Sequence, residues 1–167
     1  MDTIINKVAE SSLLTIDIAD FLKDQIFEEF DIKPFLFKEL ILKEADFRLA
    51  LKAVNWKEYE GKNIAVFCST DAIIPIWAFM LITSYLTPFA KTIFFGDIDK
   101  SKELFLLQTI KNMDSKEYEN KRIVIKGCGS VKIPDSAYIA ITSKLILVCK
   151  SIFYGEPCST VPIFKKK

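Results

Sequence analysis

Three of the four cysteines in this 167-residue chain follow short apolar runs, where they could act together in chemistry. Cys68 begins the string Cys68-Ser69-Thr70-Asp71, Cys128 lies between two glycines, and Cys158 follows Gly155-Glu156-Pro157. Deprotonated thiols bind zinc and other thiophilic metals, and a nearby carboxylate can complete a four-coordinate site. We therefore predict a thiolate metal site, with zinc as the expected metal. Its candidate ligands are Cys68, Asp71, Cys128 and Cys158.

Two other interpretations of these cysteines remain open. Free cysteines are among the most buried residue types, so they could be packing residues of a non-catalytic protein that binds a partner through apolar surface. Alternatively, Cys68 or Cys128 is the nucleophile of a small-molecule enzyme, because both precede predicted helices whose free N–H groups favour a thiolate. The chain has no histidine, so the base would be Asp71, Lys126 or Glu156.

The elements that would position these residues occur twice. A shift of 59 residues aligns residues 44–97 with residues 103–156 without a gap, and 19 of the 54 aligned pairs are identical. The repeat predicts one domain over residues 1–167. It comprises an N-terminal segment (1–43), repeat one (44–97), repeat two (103–156) and a C-terminal edge segment (157–167). The fourth cysteine, Cys149, aligns with Ala90 and is predicted to be a core residue.

Each repeat is predicted to form helix, strand, helix and strand. The first helix has an apolar face, formed in repeat one by Phe47, Ala50, Leu51 and Val54, and the second helix begins near Pro75 or Pro134. Strands without polar alternation are typical of parallel sheets, which are covered on both faces. We therefore predict an α/β fold with a mainly parallel sheet covered by helices, and internal pseudo-twofold symmetry between the repeats. Loops after parallel strands open at one edge of a sheet, which would bring the thiols together. The predicted core strands are Ile64–Phe67, Thr92–Phe95, Ile123–Ile125 and Ser151–Tyr154, with edge strands Leu13–Ile18 and Val161–Phe164.

The composition limits the partners and the location. A net charge of +1 gives no field that would attract a polyanion, so we expect no nucleic acid partner. Half of the residues are hydrophobic, which favours a homodimer. The longest strongly apolar stretch, residues 73–86, is shorter than the roughly 20 residues that span a bilayer, so no membrane association is expected. The N-terminus lacks the pattern of a signal peptide, which predicts a cytoplasmic protein with reduced thiols. The sequence identifies no small-molecule ligand.

Several strings along the chain carry a family resemblance. The chain resembles a small uncharacterised family from Bacteroidetes, known as domain of unknown function 2480, over nearly its whole length. The resemblance implies no reaction, substrate or cofactor. It is carried by Ile5-Asn6-Lys7-Val8-Ala9, Phe30-Asp31-Ile32-Lys33, the string from Cys68 to Ala78, Val124-Ile125-Lys126-Gly127-Cys128, and the string from Gly155 to Pro162.

Overall fold

The computed structural model describes residues 13–126, 129, 131–156 and 158–167. The chain divides into two compact units, and the division falls within a helix. The central unit is Asp24–Leu104, and the terminal unit comprises the described residues of Met1–Lys23 and Phe105–Lys167. The strands and helices are β1 (Leu13–Asp17), β2 (Phe27–Asp31), α1 (Glu44–Lys52), β3 (Asn63–Phe67), α2 (Ile76–Leu86), β4 (Thr92–Phe95), α3 (Ile98–Asn112), β5 (Arg122–Lys126), α4 (Asp135–Leu145), β6 (Ser151–Glu156) and β7 (Ser159–Lys165).

The strands form two sheets. The central unit has a three-stranded parallel sheet in the order β2-β3-β4, and the terminal unit has a four-stranded sheet in the order β1-β5-β6-β7. In the second sheet β1, β5 and β6 are parallel, while β7 runs antiparallel to β6. The predicted α/β class and parallel pairing are confirmed. The expectation of one sheet is wrong, because β3 and β4 lie in one sheet while β5 and β6 lie in the other.

The strand that completes the central sheet was missed in the sequence. The sequence of β2, Phe-Glu-Glu-Phe-Asp, has no continuous apolar run, and within it only Phe30 is buried. Consecutive residues of a strand point to opposite faces, so the exposed Glu28 and Glu29 show that β2 is partly open to solvent on both faces, as a strand at the edge of a sheet can be. β1 and β7 were predicted as edge strands and are confirmed in that position. With its own edge strand, each pair of core strands forms a separate sheet.

Local structure recurs at the offset of 59 residues found in the sequence. The bounds of α2 and α4 differ by 59 at both ends. Asn63 pairs with Thr92 in the central sheet, as Arg122 pairs with Ser151 in the terminal sheet. Gly61 and Asn120 both have left-handed backbone, with φ of 71° and 57°. A left-handed turn therefore precedes β3 and β5 alike. The pseudo-twofold relation between the repeats stays a prediction.

Each unit has its own apolar core. In the central unit Phe47 and Leu51 of α1 are fully buried, which confirms the predicted apolar face of that helix. In the terminal unit Cys149 is fully buried within the core, as predicted. Pro75 and Pro134 directly precede α2 and α4, where the lack of an N–H costs the helix nothing. Within the described residues, no helix has both the length and the apolar character needed to cross a membrane.

Candidate functional site

The predicted thiolate residues lie at the ends of strands in both units. Cys68 directly follows β3 in the central unit, where it is half-buried and packs against the core. Asp71 is exposed in the loop that follows. Cys158 is exposed between β6 and β7 in the terminal unit. Cys128 lies outside the described residues. The packing of Cys68 on the core supports a structural role for that thiol.

The metal site is not assembled by the residues that the structure describes. Among them, no group of three or more histidine, cysteine, aspartate or glutamate side chains is placed to hold a metal ion. The premise that strands of one sheet release the thiols at a common edge is wrong, because Cys68 and Cys158 follow strands of different sheets. The set of Cys68, Asp71, Cys128 and Cys158 stays a prediction.

A hydrogen-bonded pair that sequence reasoning missed lies where β2 and β3 end. The Ser69 hydroxyl donates to Asp31 Oδ2 at 2.5 Å, and the Ser69 N–H donates to Asp31 Oδ1 at 3.0 Å. The Lys33 N–H donates to the same Oδ1 at 2.9 Å. Partial burial raises the pKa of Asp31, but these bonds and the charge of Lys33 together hold it below its usual value. A carboxylate with a lowered pKa is a weak base, so the pair ties the strand ends together and does not activate Ser69.

A sequence signal for this pair was present. β1 ends at Asp17, and β2 ends at Asp31. These residues begin the strings Asp17-Ile18-Ala19-Asp20-Phe21 and Asp31-Ile32-Lys33-Pro34-Phe35. In both strings the aspartate accepts the N–H of the residue two positions on, and the isoleucine is fully buried. The shared Asp-Ile-x-x-Phe pattern therefore marks the end of an edge strand in each unit and could have located β2.

Two of the candidate bases contact each other. Lys126, at the end of β5, lies with its Nζ 3.4 Å from a carboxylate oxygen of Glu156, at the end of β6. Adjacent parallel strands bring the two side chains together. Because each charge has an opposite charge beside it, this pair is suited to joining the strand ends.

The central unit carries an apolar groove between α2 and β4, with a volume of about 610 Å³. The ring of Phe79 on α2 packs edge-on against Phe95 of β4, with 5.2 Å between centroids. Ile76 and Met80 are 75% and 67% exposed, and Phe95 is 69% exposed. Such exposure of adjoining apolar side chains is a mark of binding surfaces. The groove is lined by Ile76, Phe79, Met80, Thr83, Ser84 and Phe95.

The polar residues of the groove are satisfied by the helix itself. The Thr83 hydroxyl donates to the Phe79 carbonyl at 2.8 Å, and the Ser84 hydroxyl donates to the Leu81 carbonyl at 2.7 Å. Hydroxyls bonded to their own helix have little need of a ligand. The groove is therefore suited to apolar groups.

One wall of the groove is an open sheet edge. In the part of the chain that the structure describes, β4 pairs only with β3. Alternate residues of a strand direct their N–H and C=O groups to its two sides, so the outer side of β4 presents groups without a strand partner. β4 consists of Thr92-Ile93-Phe94-Phe95, and contains no charge or proline that would discourage pairing.

The matching edge in the terminal unit is covered. β7 pairs antiparallel with β6, with Tyr154 opposite Val161. The pairing skips Ile163, which forms a β-bulge and lines a cavity of about 260 Å³ beside α4. Tyr138 and Thr142 of α4, with Tyr154 of β6, line the same cavity. These three positions are those of Phe79, Thr83 and Phe95 shifted by 59.

Over the residues that the structure describes, the fold and the groove define an α/β protein with two mostly parallel sheets, one of which has an open edge beside an apolar groove. The chain belongs to the DUF2480 family, whose description is "Protein of unknown function" and whose model matches residues 2–166. The family resemblance noted in the sequence is thereby confirmed. Comparison with curated proteins and with solved structures found no match.

Proposed function

We propose that the protein is a non-catalytic interaction module that binds an extended polypeptide segment at the open edge of β4. The segment adds to the central sheet as an antiparallel strand and places an apolar side chain in the groove. Main-chain hydrogen bonds supply affinity in this mode of recognition, and the groove supplies selectivity. The open edge of β4 beside the exposed Phe95 carries the proposal.

The terminal unit supports this mode of binding. We propose that the two repeats descend from one duplicated unit and keep a pseudo-twofold relation, so that β4 and β6 are equivalent strands. In the terminal unit the chain itself supplies the added strand, β7, and Ile163 lies beside Tyr138 and Tyr154, where it lines the cavity next to α4. In the central unit the equivalent position beside Phe79 and Phe95 is open, and a segment from another polypeptide would take it.

A synthetic peptide with the sequence of β7, Ser159–Lys165, is the probe for this proposal. Labelled with a fluorophore, it should bind the wild-type protein saturably in an anisotropy titration at protein concentrations where the chain is monomeric. The Phe95→Asp variant should lose the binding, since a charge in the groove must be desolvated without a partner. Phe95 is 69% exposed, so the substitution is compatible with folding.

Leu49→Asp is the matched control. Leu49 lies on α1 of the same unit, is 70% exposed and does not line the groove. This variant should bind the peptide as the wild type does. A monomeric wild-type protein that fails to bind the peptide, or one whose Phe95→Asp variant binds it equally, contradicts the proposal.

The second candidate function is the thiolate metal site predicted from the sequence, with Cys68, Asp71, Cys128 and Cys158 as ligands and zinc as the metal. Two observations favour it: Cys68 and Cys158 are free thiols, and both reach the protein surface. A cytoplasmic location, which we also propose, would keep them reduced.

Elemental mass spectrometry of untagged protein tests the metal site. The site predicts about one zinc per chain, lost in Cys158→Ser and retained in Cys149→Ser, because Cys149 is a core residue. Wild-type protein purified without chelator and without bound metal would contradict this candidate.

A further inference from the structure

We infer that the strand added to β4 is β4 of a second copy of this chain, so that two central sheets join into one continuous six-stranded sheet. The inference rests on the proposed function, since it names the occupant of the same edge. Antiparallel pairing of two identical edges requires a twofold axis perpendicular to the sheet. This symmetry is that of the most common homo-oligomers.

The surface supplies both a groove and the side chains that would fill it. Ile93 and Phe95 pair with Ile64 and Val66 of β3, both of which belong to the core beneath α2. They therefore lie on the groove side of the sheet. A twofold axis perpendicular to the sheet places the groove sides of both copies on the same face of the joined sheet. Residues opposite each other must therefore lie on the same face. Ile93 of each copy then lies opposite Phe95 of the other, with Phe94 at the axis.

This register also pairs opposite charges. Residues whose numbers add to 188 are opposite each other when Phe94 lies on the axis. Lys91, directly before β4, is then opposite Asp97 of the second copy, and the twofold axis forms this pair twice. Both side chains are exposed. Within one copy the Lys91 ammonium donates to Gln25 Oε1 and the Lys100 N–H donates to Asp97 Oδ1, each at 2.8 Å, so the new pair would use their remaining hydrogen-bonding capacity. A shift of the register by two residues would separate these charges, so the ends of the strand favour the register centred on Phe94.

The residues that line the groove and the exposed flank of α2 are also suited to contact with a second copy. An isologous interface brings each patch against its own copy, so charged residues on the axis would repel each other. The residues that line the groove carry no charge. Ile76 and Met80 lie one turn apart on the exposed flank of α2. Pairing of the β4 edges would bring these flanks together over the new sheet and bury both side chains.

Sedimentation equilibrium and hydrogen exchange of the intact chain test the inference. Wild-type protein should sediment at twice the monomer mass of 19.1 kDa. Phe95→Asp should raise the dimer dissociation constant by at least about 30-fold, as expected for a central aromatic residue. Leu49→Asp should leave it unchanged. Amides of residues 92–95 should exchange slowly in the dimer and faster in Phe95→Asp.

Charge reversal tests the register. Lys91→Asp should weaken the dimer by about 5-fold, because two exposed ion pairs become repulsive contacts. Adding Asp97→Lys should restore the dimer, since the pair is rebuilt with its signs exchanged. Far-UV circular dichroism and urea titration of each variant identify a folding defect, because Asp97→Lys also removes the acceptor of the Lys100 N–H at the start of α3.

The inference and the proposed function fail separately. A monomeric wild-type protein overturns the inference, and the peptide titration then decides the proposed function. A dimer that persists in Phe95→Asp, or that leaves residues 92–95 exchanging at the same rate, also overturns the inference. A double-reversal variant that folds as the wild type does but does not restore the dimer overturns the register. Dimerisation at another surface leaves the β4 edge open to the peptide.

Discussion

The replacement of Asp31 by alanine should destabilise the central unit more than the loss of an ordinary surface carboxylate. Asp31 accepts three hydrogen bonds, from the Lys33 N–H, the Ser69 N–H and the Ser69 hydroxyl. A hydrogen bond contributes about 0.5–1.5 kcal/mol, and partial exposure of Asp31 favours the lower part of that range. The three bonds together predict a loss of about 2 kcal/mol in the free energy of unfolding.

Urea denaturation followed by tryptophan fluorescence measures this loss. Both tryptophans, Trp56 and Trp77, lie in the central unit, so their emission reports on that unit. Ser69→Ala should produce a smaller loss than Asp31→Ala, because it removes one of the three bonds. Asp114→Ala, followed by far-UV circular dichroism, is the control for a single bond, since the Asp114 carboxylate accepts the Lys116 N–H at 2.9 Å.

The pH dependence of the same variants gives a second check. The pKa of Asp31 is lowered on folding, so the unfolded chain binds the proton more tightly. The stabilisation by Asp31 is therefore present above its unfolded pKa, about 3.9, and is lost as the pH falls through its folded pKa. The difference in stability between wild type and Asp31→Ala should be constant near neutral pH and shrink below about pH 4. Equal losses in Asp31→Ala and Asp114→Ala would refute the reasoning.

Two further predictions concern backbone strain and thiol burial. Gly155→Ala should lower the free energy of unfolding more than Gly96→Ala, by about 1 kcal/mol or more. Both glycines have φ near 120°. A Cβ at Gly155 would lie 2.6 Å from the Ser159 carbonyl oxygen. A Cβ at Gly96 would meet only the flexible Lys100 side chain, at 3.0 Å. Urea titrations by circular dichroism compare them, and equal losses would contradict the argument. Iodoacetamide at pH 8 should modify Cys158 in the folded protein and Cys149 only in denaturant, because Cys149 is fully buried and burial raises the pKa of its thiol. Peptide mass mapping checks the order, and equal rates would contradict it.

The elements with continuous apolar strands and proline-marked helices could be predicted from the sequence. Thr92–Phe95 was predicted with the bounds it has, and the helices after Pro75 and Pro134 begin where expected. The strands have continuous apolar sequences and the helices have a proline before their first turn, so their local signals are strong. β2 was missed because its exposed glutamates break the apolar pattern.

The arrangement of the strands could not be predicted by the same means. The pattern of β3, β4, β5 and β6 indicates parallel strands, yet it does not state which strands share a sheet. That choice depends on the edge strands β1 and β2, which pair with β5 and β3. The predicted edge shared by the thiols followed from assuming one sheet. The groove beside β4 was missed because the sequence of a four-residue strand does not show whether Phe95 is exposed or buried.

Isotope-filtered nuclear Overhauser spectroscopy tests the central claim most directly. A dimer made from one labelled and one unlabelled copy reports only contacts between the copies. Pairing of the two β4 edges predicts nuclear Overhauser effects between Ile93 of one copy and Phe95 of the other, and between the α-protons of the two Phe94 residues. Overhauser effects between the copies that involve none of the residues of β4 would contradict this pairing.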